Sequence, residues 1–216
     1  MRTLAFVTQK GGSGKSTIAS SLAVAAMEAG EKVAVVDTDP QKSLMGWAKT
    51  RGADDVHVEA ATGAKLGDAL KALAKKGYTL AIVDTPGADL VTVAHAIKAS
   101  DLCVVPARPT AFDIWASAAV CKALKEHRKE FVFLLNQCPP AQQSARIEDG
   151  AKALEAMGGL VTPLVLSRVD FQDATRNGLG ATEINAGGAA ASEIRALWAS
   201  LRRRLARAKP AARKAA

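Results

Sequence analysis

A nine-residue stretch, Gln9-Lys10-Gly11-Gly12-Ser13-Gly14-Lys15-Ser16-Thr17, constrains the fold more than any other part of the chain. It joins an apolar run of strand length, Thr3–Thr8, to a run of helical period, Lys15–Ala29. A strand, a glycine-rich turn and a helix in that order form the setting of a phosphate-binding loop. Glycines let the backbone curl without Cβ clashes, so successive N–H groups point inward at an anion. The helix N-terminus adds positive potential at the same place. In such a loop Lys15 reaches the β/γ-phosphates, the Ser16 hydroxyl joins a Mg²⁺ shell, and Thr17 serves the α-phosphate side. The candidate nucleotide contacts are Lys10, Gly11, Gly12, Ser13, Gly14, Lys15, Ser16 and Thr17.

The remaining pattern fits a parallel sheet. Further strand candidates are Lys32–Asp37, Val56–Ala60, Thr79–Asp84, Leu102–Pro106, Phe131–Asn136 and Leu160–Leu166. Several lack polar alternation, which signals burial on both faces. Helical stretches near Lys65–Lys75, Leu90–Ala99, Asp113–His127 and Ala145–Met157 fall between them. The alternation predicts an α/β, doubly wound, mostly parallel sheet flanked by helices, with its site beyond the carboxyl ends of the strands. A single domain over residues 1–208 accommodates these elements, and a basic tail over 209–216 is expected to be disordered. Asn177–Ala191, rich in Gly and Ala, reads as a loop or short helix before a final helix, Ser192–Arg207. In that helix Ile194, Leu197, Trp198, Leu201 and Leu205 form one apolar stripe.

Two strands end in acids. Val35-Val36-Asp37-Thr38-Asp39-Pro40-Gln41 closes one, and Ala81-Ile82-Val83-Asp84-Thr85-Pro86-Gly87 closes another. A carboxylate brought to the phosphate edge is what Mg²⁺ needs, usually through water. A strand-end Asp also serves as a helix cap, and for Asp37 the two readings stand side by side.

The phosphate loop departs from the ordinary GxxxxGK[ST] pattern: Gln9 replaces its first glycine, and a second lysine, Lys10, opens it. The string KGGSGKST resembles the deviant Walker A motif of the ParA/MinD family of P-loop ATPases. Val104–Ala116, Ser167–Ala174 and Gly180–Glu183 are similar to segments of small plasmid-type ParA proteins. That resemblance implies an ATPase, slow and partner-stimulated, with ATP and Mg²⁺ as cofactors. It makes Lys10, Lys15 and Asp39 catalytic. Lys10 would reach the partner's phosphates across a nucleotide-sandwiched homodimer, and Asp39 would orient the attacking water. Asp84 would be the Walker B acid, and Asp37 would support the Mg²⁺ shell or the loop lysine. From spacing alone Lys10 is equally a solvent-facing residue. In related P-loop proteins an Asn at the position of Asn136 contacts the purine; a strand-end turn cap is the other reading. The NKxD pattern of guanine readers is absent here, which favours adenine.

Charge extends the expectation. Of 29 basic residues, eight lie from Arg195 to Ala216, and the remaining 21 face all 21 acids. The net charge of +8 therefore sits in the last 22 residues and points to a polyanionic partner. The resemblance makes non-specific DNA the leading partner, with Arg195, Arg202, Arg203 and Arg204 as candidate contacts. It also implies a small ParB-like protein or cargo adaptor that stimulates hydrolysis. Attachment to a membrane through an amphipathic final helix, as in MinD, is the rival reading, and a solvated tail the third. No apolar run approaches the roughly 18 residues of a membrane span. Because the loop follows the first strand at once, neither a signal peptide nor the operator-binding domain of large ParA repressors is expected. Three cysteines, Cys103, Cys121 and Cys138, suit buried thiols in a reducing cytoplasm better than disulfides or a metal site; the resemblance implies a nucleoid-associated cytoplasmic protein.

Overall fold

The computed structural model describes residues 1–140 and 145–208. Its strands are β1 (Arg2–Phe6), β2 (Val33–Asp37), β3 (His57–Ala60), β4 (Leu80–Asp84), β5 (Leu102–Ala107) and β6 (Phe131–Leu135). They form one sheet in the order β3-β2-β4-β1-β5-β6, and every pairing is parallel. The helices are α1 (Lys15–Glu28), α2 (Ser43–Arg51), α3 (Leu66–Lys75), α4 (Leu90–Ala99), α5 (Ala111–Glu126) and α6 (Ala145–Gly158). They are followed by α7 (Val169–Arg176), α8 (Ala181–Ile184) and α9 (Ala189–Arg207).

Both faces of the sheet are covered, and the strand period of two divides its side chains between them. Leu4, Phe6, Val35, Ile82 and Val104 pack with α1 and with Ile194, Leu197, Trp198, Leu201 and Leu205 of α9. Ala5, Val7, Val36, Val83 and Val105 pack on the opposite face with Leu70, Ile97 and Leu124. The apolar stripe of α9 is thus buried inside the fold, with every member at most 4% exposed. The sequence-predicted doubly wound sheet is what these residues form.

Three differences have physical causes. The expected seventh strand, Leu160–Leu166, is not one: it runs beside β6 and the residues after it with only isolated bridges, Phe133 to Leu160 and Cys138 to Leu166. Pro163 supplies no N–H, so a continuous ladder cannot form there. Helix α2, not expected from sequence, begins after Lys42 at φ 51° without a side-chain cap of its own and buries only Leu44 and Trp47. Helix α7 buries only Phe171 and Ala174. Such narrow stripes give a weak periodic signal. The tail over 209–216, with Lys209, Arg213 and Lys214, lies outside the described residues.

Candidate functional site

The sheet order sets β1 between β4 and β5. The loop after β1 is therefore flanked by the loop after β4 and by the start of α5. The register places Asp84 beside both Phe6 and Asp37, so two carboxylates end adjacent strands at one level. Hydroxyls bind these strand ends together. Thr38 donates to the Asp84 carbonyl at 2.6 Å, and Thr85 donates to the Phe6 carbonyl at 2.8 Å.

Helix α1 opens with Gly14 in the left-handed region, φ 87°, and no side chain caps its first N–H groups. Those donors, with no acid in the first turn, are free for an anion. Gly11 and Gly12 are exposed at the loop rim, whereas Ser13 is buried and its hydroxyl has no protein partner. Lys15 is buried, with its ammonium 3.5 Å from the Lys10 carbonyl. Burial pulls the Lys15 pKa below its ordinary value, against Asp84 and Asp39, which favour its charge.

Asp84 is fully buried and accepts from the Ser16 hydroxyl at 2.6 Å. Its other oxygen, Oδ1, has no partner. Burial pushes this carboxyl up to about 7; Ser16 and Lys15 act downward, Asp37 and Asp39 upward. An orphaned buried carboxylate oxygen beside a serine hydroxyl, below a cradle of backbone donors, fits a hard divalent cation. Ser16 and Asp84 are the residues that would hold Mg²⁺, which when bound offsets charge on the phosphates.

Asp37 is spent differently. Its Oδ1 accepts from Asp39 N (3.1 Å), and its Oδ2 accepts from Leu44 N (3.0 Å) and Met45 N (3.2 Å). It thus caps α2 from a distance and fixes the Thr38–Lys42 loop; burial raises its pKa despite these donors. Asp39 sits in that loop, half-buried, accepting from Gln41 N at 2.9 Å. Its charge reaches Lys15 and Asp84.

Asn136 donates to the Ser13 carbonyl at 2.8 Å, and Gln137, at φ 52°, donates to the Gly12 carbonyl at 3.0 Å. Both amides prop the phosphate loop from the side of β6. They also line a cavity of about 260 Å³ with Thr17, Leu166, Arg168 and Phe171.

The Lys10 side chain is engaged by the first turn of α5. Its ammonium lies 3.2 Å from Asp113 Oδ2 and 5.4 Å from the centre of the Phe112 ring. Asp113, in the first turn of α5, also accepts from Arg108 Nε (3.0 Å) and the Thr110 hydroxyl (2.6 Å). Burial works to raise the Asp113 pKa, but its bonds to Arg108, Thr110 and Lys10 outweigh that and hold the carboxyl low.

The structure therefore gathers Lys10 to Thr17, Asp37, Asp39, Asp84 and Asn136 at one edge. It adds Thr38, Thr85, Gln137, Arg108 and Asp113, which sequence reasoning did not single out. Thr38 and Thr85 each follow a strand-end Asp, a signal that was available. The pairing of Lys10 with Asp113 joins residues 103 positions apart, and no local pattern announces it. The arginines of α9 lie apart from this edge. Arg195 donates to the Ala186 carbonyl at 2.6 Å and is 3.6 Å from Glu28. Arg202 faces Glu31 at 4.0 Å, whereas Arg203 and Arg204 have no acidic partner among the described residues.

Maintenance of carboxysome distribution protein A of Gloeobacter kilaueensis is 40% identical over 116 residues, 52% of this chain and 52% of that protein. The chain thus spans about half the length of that relative. The protein of the same name from Halothiobacillus neapolitanus is 28% identical over 207 residues, 88% of this chain and 91% of that protein. In fold, apo McdA of Cyanothece superposes with a TM-score of 0.77 at 16% identity, covering 95% of this chain and 99% of that one. The cell division ATPase MinD of Pyrococcus furiosus gives 0.74 at 20% identity, covering 94% and 98%. Residues 4–181, from the first strand through the start of α8, match the family described as the CobQ/CobB/MinD/ParA nucleotide binding domain. With its phosphate loop, paired strand-end acids and all-parallel sheet, the chain belongs to the CobQ/CobB/MinD/ParA family of P-loop nucleotide-binding proteins.

Proposed function

We propose that the chain is an ATPase that dimerises on ATP, binds DNA without sequence preference and positions a large cargo through partner-stimulated hydrolysis. The observation that carries this reading is the two-lysine loop beside Asp84. Lys15 is buried at the phosphate seat, and Lys10 is held at its rim by a single acid. A partly exposed cation held by one acid suits a group that crosses to a second copy's phosphates and offsets charge developing there. Asp39, half-buried and with its charge felt by Lys15 and Asp84, is the acid that would orient the attacking water. The cavity beside Asn136 and Phe171 suits a base, with Asn136, Gln137 and Gln172 among its polar lining residues.

Relatives named for carboxysome distribution and for chromosome partitioning (Soj of Thermus thermophilus), with Protein ParA of Rhizobium radiobacter beside them, support positioning as the common task. The cargo, whether plasmid, chromosome region or other assembly, is left to the adaptor. The membrane reading has less support. The apolar stripe that a bilayer would take up is buried in the core, and no helix of the described residues is long and apolar enough to cross a membrane. The test is migration of duplex DNA with the chain under Mg-ATP, under Mg-ADP and without nucleotide, in parallel with sedimentation on anionic vesicles. ATP-dependent retention of DNA is expected. Vesicle binding without DNA binding would reverse the assignment.

A further inference from the structure

A second cavity, of about 460 Å³, lies at the opposite end of the sheet from the phosphate loop. Its floor is the start of β5 and β6, at Leu102 and Phe131, and one wall is the last two turns of α9. Ser200, Arg203, Arg204 and Arg207, spaced three, one and three apart, all face it, and Glu130 is the one acid in its lining.

The arginines of α9 therefore divide into two groups. Arg195 and Arg202, seven apart, lean on Glu28 and Glu31 at the end of α1 and after it. Their charge is already opposed. Arg203 contacts only the Ser200 hydroxyl, at 3.2 Å, and Arg204 makes a long 3.4 Å contact to the Leu160 carbonyl. Arg203, Arg204 and Arg207 have no ion pair among the described residues. Cations in a last helical turn commonly serve the helix's own carbonyls. Here Arg2 does that work from β1, donating to the Leu205 and Ala208 carbonyls. Three guanidinium groups thus converge on a polar hollow without an internal task.

We infer that this hollow seats the phosphodiester backbone of nucleic acid through Arg203, Arg204 and Arg207, and that Arg195 and Arg202 take no part. The inference rests on the DNA-binding reading above and narrows it to one site. Planar guanidinium forks match phosphate oxygens, and a contact to backbone alone reads no bases. A bilayer surface would call for apolar side chains beside the cations. The large exposed hydrophobics of the described residues, Leu90, Val91, Phe112, Trp115 and Val169, are all elsewhere. The hollow is about 17 Å, one five-residue strand, from the nucleotide edge. Nucleotide then acts on DNA affinity by pairing two such seats rather than by contact.

The test uses the full chain under Mg-ATP and fluorescence anisotropy of a duplex of arbitrary sequence, titrated at several salt concentrations. A variant with Arg203→Gln, Arg204→Gln and Arg207→Gln should lose at least about tenfold in affinity. Its slope of log affinity against log salt should shrink by about 2 to 3, near 0.9 for each phosphate contact. A variant with Arg195→Gln and Arg202→Gln should stay within about twofold of the parent with its slope unchanged. Calorimetric ATP affinity and thermal melting check that both variants fold. Single substitutions, each removing about one unit of slope, replace the triple if it does not. Wild-type chain that fails to bind DNA overturns the DNA reading itself. Wild-type binding that survives the triple variant, or falls equally in the double, overturns the inference alone. If the triple variant keeps duplex binding but loses binding to phosphatidylglycerol vesicles, the seat is one for lipid headgroups and the inference falls.

Discussion

At Gly14 the backbone needs φ 87°, and a Cβ there would run into the Asn136 amide that props the loop. Gly11, two residues before Ser13, has nothing within 4 Å of the same atom. Gly14→Ala should therefore cost about 1–3 kcal/mol of stability and abolish nucleotide binding by calorimetry. Gly11→Ala should melt near the parent temperature. Equal melting of both variants would contradict the described loop. Lys10 offers a different test. In the resting chain its charge is engaged by Asp113, which keeps Arg108 when Lys10 leaves. Because Lys10 is partly solvated, the pair is worth no more than about 1 kcal/mol, or about fivefold in an equilibrium. Asp113→Asn should lower the ATP concentration at which the dimer half-forms by up to about that factor, followed by light scattering. An increase would mean that Asp113 supports the paired state instead.

At the scale of elements, the loop carrying Asp39 is bounded by α2, whose stability comes from far along the chain. Arg51, at its end, binds Glu183 through two 2.8 Å contacts, Asp55 at 2.6 Å and the Gly178 carbonyl at 3.1 Å. Trp47 donates to the Leu179 carbonyl at 3.1 Å. The Arg51 guanidinium is buried, with its pKa raised first by the Glu183 hydrogen bond and then by Asp55. Arg51→Ala should cost about 2 kcal/mol in urea unfolding, since it strands Glu183. ATP affinity should hold, because Arg51 touches no residue of the phosphate loop. These anchors also show why α2 and α7 were not legible. The bonds that anchor α2 reach some 130 residues along the chain, and each helix fully buries only two residues. The strands, by contrast, carry their signal locally, in unbroken Val, Ile and Leu. The segment Leu160–Leu166 has the composition of a strand, but Pro163 prevents it from pairing as one.

For the whole molecule, the sheet order decides the rest. Placing β1 between β4 and β5 brings the ends of strands far apart in sequence around one loop. The loop itself was readable because glycine, lysine and serine act within nine residues. The acids were readable because each ends an apolar strand. What joins them was not: Asn136 to Ser13 spans 123 residues, and Ser16 to Asp84 spans 68. Lys10, paired with Asp113 at this edge, is the residue proposed to reach a second copy's phosphates. Pairing of two copies across bound ATP is the central claim. Its most direct measurement is light scattering coupled to size exclusion on an Asp39→Ala variant, in which the acid proposed to orient water is removed and ATP should persist. The expected result is a dimer in Mg-ATP and a monomer in Mg-ADP. A monomer in both nucleotides, with ATP shown to be bound, would contradict the account.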